Sequence, residues 1–230
     1  MQRVQAGNRR RSLQFEKDFF DSRRYNLKEK LVKRHVLEVI KWASKITGDN
    51  LLSGQGKNAL DVGCACGYSS KVLETLGYET CAIDLSKWGV KQAKTYANGD
   101  FLVCDAQTNL PFKGKSFDLV ICFDVLEHLQ SPQRAILNML EACQGTLVCT
   151  TPNRTVEKPV RKITRDFDET HINVKTPSEW KNTIQGTAGY KLLTVETFLD
   201  LTAKLANKRV FFKSLKLPEF GLTVRILVKK

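Results

Sequence analysis

A long apolar run is missing from this 230-residue chain: the longest, around residues 119–126, already contains Asp124 and is far too short to span a bilayer. No apolar stretch follows the basic N-terminus either, so no secretory leader is expected, and the cytoplasmic compartment is. Internal repeats and low-complexity tracts are absent. Cysteine is present without a pairing pattern. Its count, seven, is odd, and Cys81, Cys104, Cys122 and Cys149 fall inside predicted strands, which suits buried reduced thiols better than disulfides. Cys64 and Cys66 stand one residue apart with no second pair and no suitable histidine nearby, so no metal site is expected.

What is there is a chain with 42% hydrophobic content, enough to bury one sizeable core and to favour one domain with additions. Its charge is uneven. Lys and Arg outnumber Asp and Glu 13 to 6 in residues 1–56 and 16 to 8 in residues 151–230, whereas residues 57–150 carry 8 basic against 10 acidic groups. A slightly acidic centre between two basic flanks suits a cationic ligand in the middle, with an anionic partner or a merely solvated surface at the edges.

The most informative segment is A-L-D-V-G-C-A-C-G at residues 59–67, an apolar strand that meets an acid and then a turn of small residues. Asp61, Gly63, Ala65 and Gly67 recur at every second position, so backbone can approach a ligand that a larger side chain would hold away. A dinucleotide fingerprint has the rhythm G-x-G-x-x-G, and its third glycine would fall where this chain has Tyr68. Three more strands follow, each ending in an acid or beside one. E-T-C-A-I-D-L-S ends at Asp84, with Ser86 placed to cap a helix; D-F-L-V-C-D-A ends at Asp105 and Ala106; S-F-D-L-V-I-C-F-D ends near Phe123 and Asp124.

This order and spacing resemble class I S-adenosylmethionine-dependent methyltransferases, whose motif I has the acid-x-G-x-G-x-G rhythm and accepts G-C-A-x-G. The resemblance is specific over residues 57–150 and weak beyond. It implies a Rossmann-like α/β fold: a seven-stranded, mostly parallel sheet with an antiparallel last strand and helices on both faces. It also implies S-adenosyl-L-methionine as cofactor, S-adenosyl-L-homocysteine as product, and a cofactor site at Asp61, Gly63, Cys64, Ala65, Gly67, Asp84, Leu85, Asp105, Ala106 and Phe123. Asp84 would take the ribose hydroxyls, the end of the third strand the adenine amine, and Phe123 the edge of the adenosine pocket.

Residues 1–12 read as a flexible basic arm with its densest charge at Arg9, Arg10 and Arg11, and residues 13–46 carry helical periodicity. The N-terminal region to residue 56 is expected to cover the site, and residues 57–230 to form the methyltransferase domain. Helices are expected over residues 68–76, 86–96 and 131–142, the last with Pro132 in its first turn, and strands over 145–150, 190–199 and 222–228. T-P-S-E at residues 176–179 opens a further helix as a capping box. Residues 151–175 lack obvious regular structure and read as a lid-like insertion, carrying Arg154, Lys158, Arg161, Lys162 and Arg165, then Asp166, Asp168 and Glu169 before His171. The D-x-x-H-I and T-P-x-E-W pattern resembles small-molecule, quinone and glycan methyltransferases related to the ubiquinone-biosynthesis enzymes, in which this histidine often approaches the substrate.

Displacement at a methyl sulfonium needs alignment, exclusion of water and, for a hydroxyl nucleophile, a base suited to neutral pH. Of three histidines, His128 and His171 are the candidates; His35 lies on a basic amphipathic helix and reads as a surface or core-edge residue, and Glu127 as an acid at a helix start. The N-P-P-Y-like turn that accompanies methylation of base amines is replaced by F-D-V-L-E-H, and Cys149 reads as a buried strand residue rather than a nucleophile. The expected acceptor is therefore a hydroxyl or carboxyl of a small or lipid-like molecule, anionic ones included. RNA is the alternative partner, read from the basic flanks, and these also allow peripheral membrane contact. A nicotinamide-dependent reductase and a non-catalytic adenosylmethionine-binding protein are the readings from other classes.

Overall fold

The computed structural model describes residues 15–164, 168–185, 189–204 and 210–230. The expected arm at residues 1–12, with its arginine cluster, and Arg165 and Asp166 of the insertion lie outside them. Five parallel strands form the centre: β1 (Asn58–Val62), β2 (Glu79–Asp84), β3 (Asp100–Val103), β4 (Phe117–Phe123) and β5 (Cys143–Pro152). Three more, β6 (Lys191–Lys204), β7 (Val210–Lys216) and β8 (Thr223–Lys229), complete one sheet of order β3-β2-β1-β4-β5-β8-β6-β7. The last strand, β8, is antiparallel to β5 as expected.

The sheet has eight strands rather than seven. The addition is β7, which pairs antiparallel with the outer half of a long β6. The sequence of β7, V-F-F-K-S-L-K, offers only a weak alternation, and the strand is defined by its pairing with β6 from Phe198 to Lys204.

Alternate residues of the central strands feed opposite cores, the period-2 consequence of a pleated strand buried on both faces. Val120 and Cys122 face one core, with Met139 and Leu140 of α5 (Pro132–Ala142) and Trp180 of α7 (Pro177–Ile184). Leu119 and Ile121 face the other, with Val36, Val39, Ile40 and Ala43 of α2 (Glu29–Thr47) and Val72 and Leu73 of α3 (Tyr68–Thr75). Between β2 and β3 runs α4 (Lys87–Tyr96), capped where expected: Gly89 N–H donates to the Ser86 hydroxyl at 2.9 Å. The capping box is also present, Thr176 and Glu179 each satisfying the other's backbone N–H.

Two expectations change. The periodic stretch at residues 13–46 is not continuous: a short α1 (Lys17–Ser22), a 3₁₀ turn (Tyr25–Leu27) and α2 are separated at Arg24, whose left-handed φ of 48° turns the chain over the strand ends. The insertion is not irregular throughout either, because α6 (Arg154–Thr164) occupies part of it despite Pro159. Asn153 opens that helix. Its side-chain oxygen accepts from Thr155 N–H at 3.1 Å and its backbone oxygen from Glu157 N–H at 2.9 Å. Sequence order reverses between β1's two neighbours, β2 and β4, so a cleft opens at their carboxyl ends.

Candidate active site

The floor of that cleft is built from backbone. Gly63 has φ +81°, and a Cβ on it would stand 2.1 Å from Cγ2 of Val125, so only glycine fits between β1 and the end of β4. The N–H groups of Gly63 and Cys64 both donate to the Ile83 oxygen, at 2.8 and 3.1 Å, which fastens the turn to β2. Asp84 completes the fastening: Oδ2 accepts from Ala65 N–H at 2.8 Å and Oδ1 from Ser86 N–H at 2.7 Å, leaving each oxygen further lone-pair capacity. Asp61 is held from below by the Ser69 and Ser70 hydroxyls at 2.5 and 2.6 Å, yet burial pushes its carboxyl up to about 6.

A cavity of about 830 Å³ stands on this floor. Of the expected cofactor residues, Asp61, Gly63, Ala65, Asp84, Leu85, Asp105, Ala106 and Phe123 line it. Cys64 and Gly67 do not. Cys64 is buried with Ala82, Val90 and Ala93 under α4. Gly67, at φ +82°, lets α3 start close against α4, since a Cβ there would lie 3.0 Å from that of Ala93. The donor set fits a nucleoside attached to a cationic amino acid: acids for ribose hydroxyls and an amine, and a cavity lined, among the described residues, by eight acidic side chains against two basic ones, Arg23 and Lys28.

The roof is built from side chains that sequence reasoning did not single out. Phe15, Phe19, Phe20 and Tyr25 of the N-terminal segment line the cavity. Tyr25 stacks on Tyr68 with centroids 5.3 Å apart, and the Glu16 carboxylate accepts from the N–H groups of Lys87 and Trp88 at the start of α4. Arg23 lies over the Phe19 ring at 3.7 Å and pairs with Asp168 at 2.6 Å. Burial works against the Asp168 charge but is outweighed by the bonds from Arg23 and Thr170, so its carboxyl lies well below the usual range.

Both expected histidines are in this roof, their ring centroids 4.7 Å apart. The meeting is arranged by residues 168–175 folding back on the 3₁₀ turn Leu126–His128: Asn173 N–H donates to the Glu127 oxygen at 2.8 Å, and its side-chain amide to the Leu129 oxygen at 2.6 Å. His128 Nδ1 lies 3.1 Å from the Thr170 carbonyl oxygen. The Thr170 hydroxyl lies closer, 2.8 Å from Nδ1, but its own proton goes to Asp168; hydroxyl oxygen and carbonyl both accept here, so Nδ1 carries the proton and Nε2 keeps a lone pair. Burial, and then His171, lower the His128 pKa to about 4, so the ring is neutral at pH 7. His171 stands between two carboxylates, Glu157 at 2.6 Å and Asp168 at 3.6 Å. Glu127 does stand in the first turn of the 3₁₀ helix Leu126–His128, and it is fully buried there; burial and then Asp124 raise its pKa well above normal, and Thr151 donates to it at 3.1 Å. One donor atom from each of Glu127, His128 and His171 lies within 4.8 Å of the others, close enough to share a cation.

His35 is also in the cavity wall rather than at the surface, beside Phe123, Asp200 and Phe212. Its basic neighbours in sequence hid this, because α2 turns its apolar stripe and His35 toward the sheet. All seven cysteines are free thiols, and no helix among the described residues is long and apolar enough to cross a membrane.

Comparison with known proteins agrees with this architecture. The family model described as a methyltransferase domain matches residues 34–195. The ubiquinone biosynthesis O-methyltransferase of Rickettsia typhi is 35% identical over 101 residues, which cover 42% of this chain and 41% of that protein. The mitochondrial enzyme of the same name from Schizosaccharomyces pombe is 31% identical over 117 residues, covering 47% and 43%. The matched stretch thus spans less than half the length of these curated relatives. Among solved structures, a SAM-dependent methyltransferase from Archaeoglobus fulgidus superposes with a TM-score of 0.64 at 18% identity, covering 88% of this chain and 94% of that one. Magnesium protoporphyrin IX methyltransferase from Synechocystis PCC 6803 with bound SAH gives 0.58 at 20% identity, covering 88% and 86%. These structures share the fold. With strand-end acids, glycine turn and family match in agreement, the chain belongs to the methyltransferase-domain family, in the class I S-adenosylmethionine-dependent group.

Proposed function

We propose that this protein transfers a methyl group from S-adenosylmethionine to a hydroxyl of a small, uncharged, largely apolar molecule. One observation carries the choice of acceptor: a neutral histidine, His128, with Nδ1–H committed to Thr170 and Nε2 left as a lone pair, in the wall of a cavity roofed by aromatic side chains.

The cofactor, when bound, supplies an electrophilic methyl on a sulfonium sulfur. The chain's own tasks are to hold, orient and dehydrate. Gly63, Ala65, Asp84, Leu85, Asp105 and Ala106 would hold the cofactor on the floor, with Asp84 accepting from ribose hydroxyls. Phe15, Phe19 and Phe20 would exclude water above it, which shortens the approach of the nucleophile and strengthens the electrostatics inside. His128 Nε2 would accept the hydroxyl proton, and Asp168 and Asp124 both favour the charged ring that results. His171, paired to Glu157, would hold the residue 168–175 segment against His128. Residues 151–175 would act as the lid, tied to the N-terminal segment by Arg23 and Asp168.

The cavity's chemistry turns the reading away from an anionic substrate. Even with Glu127 protonated the lining carries more carboxylates than cations and disfavours anions, and among the described residues the basic flanks contribute only Arg23 and Lys28 to it. A carboxyl acceptor and RNA are disfavoured on the same ground. Methyl-labelled adenosylmethionine offered with separate RNA, lipid and small-molecule extracts tests the proposal. Label is expected in the small-molecule fraction; label in RNA alone would overturn it, and cofactor binding without product in any fraction would favour a binding protein.

A further inference from the structure

At the β6–β7 end of the cavity a second histidine is set up differently from His128. His35 Nδ1 lies 3.3 Å from Asp200 Oδ2, while Asp200 Oδ1 accepts from Arg225 Nη2 at 2.9 Å and from the Ser214 hydroxyl. Arg225 is 1% exposed and its guanidinium stacks over Phe198 at 3.9 Å, so this cation is fixed in place. Burial pushes the Asp200 carboxyl up, but the adjacent His35, the bond from Ser214 and the Arg225 charge outweigh it and hold it down at about 2.

The 3.3 Å contact is an ion-pair distance, and Asp200 Oδ2 has no hydrogen-bond partner among the described residues; a carboxylate oxygen this close repels a lone pair on Nδ1, so in the neutral ring the proton belongs on Nδ1 and Nε2 is the acceptor. That Nε2 is buried and has no hydrogen-bond partner among the described residues. A buried acceptor without a donor has lost its water and received nothing in return. The rings of Phe123 and Phe212 meet His35 edge-on, each with centroids 6.0 Å away, so the surroundings of this acceptor are flat and apolar.

The geometry points to His35 as a specificity-determining residue that reads a second hydrogen-bond donor, a hydroxyl or N–H, on a flat apolar substrate, at a position other than the methylated one. The inference rests on the methyltransferase reading above and adds to it. Asp200 and Arg225 act through His35: they fix which nitrogen carries the proton, and so decide that donors are recognised and ethers or ketones are not.

The test uses the full chain saturated with adenosylhomocysteine and two probes, 2,6-dihydroxynaphthalene and 6-methoxy-2-naphthol, titrated by their fluorescence. Replacing hydroxyl by methoxyl keeps the acceptor oxygen and removes the donor. Wild type is expected to prefer the diol about tenfold, the value of one good hydrogen bond. His35→Asn keeps an N–H for Asp200 but has nothing at the Nε2 position, and should bring the two probes within about twofold. His35→Gln, which places an amide oxygen near that position, should restore part of the preference. Should the Asn variant fail to fold, His35→Phe removes the same acceptor and is read the same way. Adenosylhomocysteine affinity should stay unchanged in each folded variant. If the cofactor product binds but wild type does not distinguish the probes or binds neither, or if His35→Asn leaves the ratio at tenfold, the subsite is overturned alone. If wild type does not bind adenosylhomocysteine, the methyltransferase reading falls and the subsite with it.

Discussion

The floor and the roof of the cavity are made in different ways. Each part of the floor comes from one short stretch of chain, at residues 61–67, 83–86 or 104–106, and is held by backbone: a left-handed glycine, two N–H groups on one carbonyl, an acid bonded to two amides. The roof is held by side chains from distant parts of the chain. Arg23 and Asp168 are 145 residues apart, His128 and Thr170 are 42 apart, and His35 of α2 meets Asp200 of β6. On the function proposed above, a floor of this kind would hold the cofactor, whereas a roof of this kind could change its acceptor by single substitutions. The comparison predicts that floor variants lose cofactor binding and roof variants lose turnover or acceptor binding.

The largest effect is expected in the roof at His128. Its replacement by alanine should lower single-turnover methyl transfer by about 10²–10⁴-fold, the usual contribution of a general base. Cofactor affinity measured by calorimetry should hardly change; a parallel loss of both would erase the distinction between roof and floor. The pH profile gives a second reading of the same residue. The base works unprotonated, and its pKa is lowered to about 4, so kcat/KM should hold steady from pH 7 to about 5 and fall through pH 4. An acid limb near 6.5, the ordinary histidine value of about that figure, would remove His128 as the base.

Next in size is Gly63→Ala. The added Cβ meets Val125 at 2.1 Å and the residue must hold φ +81°, so the turn has to move. Cofactor affinity should fall at least about tenfold, corresponding to roughly 1.4 kcal/mol. Unchanged affinity would mean that the backbone of this turn does not shape the site.

The same division explains what could be read from the chain. The strand-end acids and the glycine turn were legible because local sequence determines local backbone, and the capping signals at Ser86 and Thr176 stand where expected for that reason. Phe19, Arg23 and Glu157 were not. Nothing in F-F-D-S-R-R marks Arg23 as Asp168's partner until the chain turns at Arg24. His35 read as a surface or core-edge residue because Lys33 and Arg34 precede it, and only the added β7 strand brings Phe212 to its side. The acid-rich lining was hidden by the same averaging: a net charge of +13 describes the chain, while the cavity collects the opposite sign.

A smaller effect is expected at Arg23→Ala, which unties the N-terminal segment from the insertion. This pair is partly shielded, with side-chain exposures of 30% and 15%, and should contribute about 1 kcal/mol once screening is allowed for. The acceptor's KM should rise several-fold while kcat changes little. Stability carries a signature of its own. The Asp168 pKa is depressed in the folded state, so its contribution is fully present above the unfolded carboxylate value near 3.9 and is lost progressively as pH falls from there through the lower folded value. The stability gap between wild type and Arg23→Ala, measured by urea unfolding, should therefore be wide at pH 7 and narrow toward pH 3; a gap independent of pH would mean that the ion pair is not what joins the two segments.

The smallest effect concerns Ala65, where floor and roof meet. Its φ of +49° is a left-handed conformation that costs an L-residue about 1–2 kcal/mol and that glycine adopts freely. Glycine loses about 0.5–1 kcal/mol of that advantage to the entropy of the unfolded chain. It also removes a methyl that packs beside Phe20, Cys66 and Tyr68. The two sides nearly cancel, so Ala65→Gly should move Tm by no more than about 2–4 °C, the shift that 1 kcal/mol produces in a domain of this size. Its sign is the informative part. A rise, with cofactor affinity kept, places Ala65 with the backbone-built floor, where relief of φ strain dominates; a fall places it with the roof, where the methyl's contact with Phe20 and Tyr68 counts for more than the conformation of the turn.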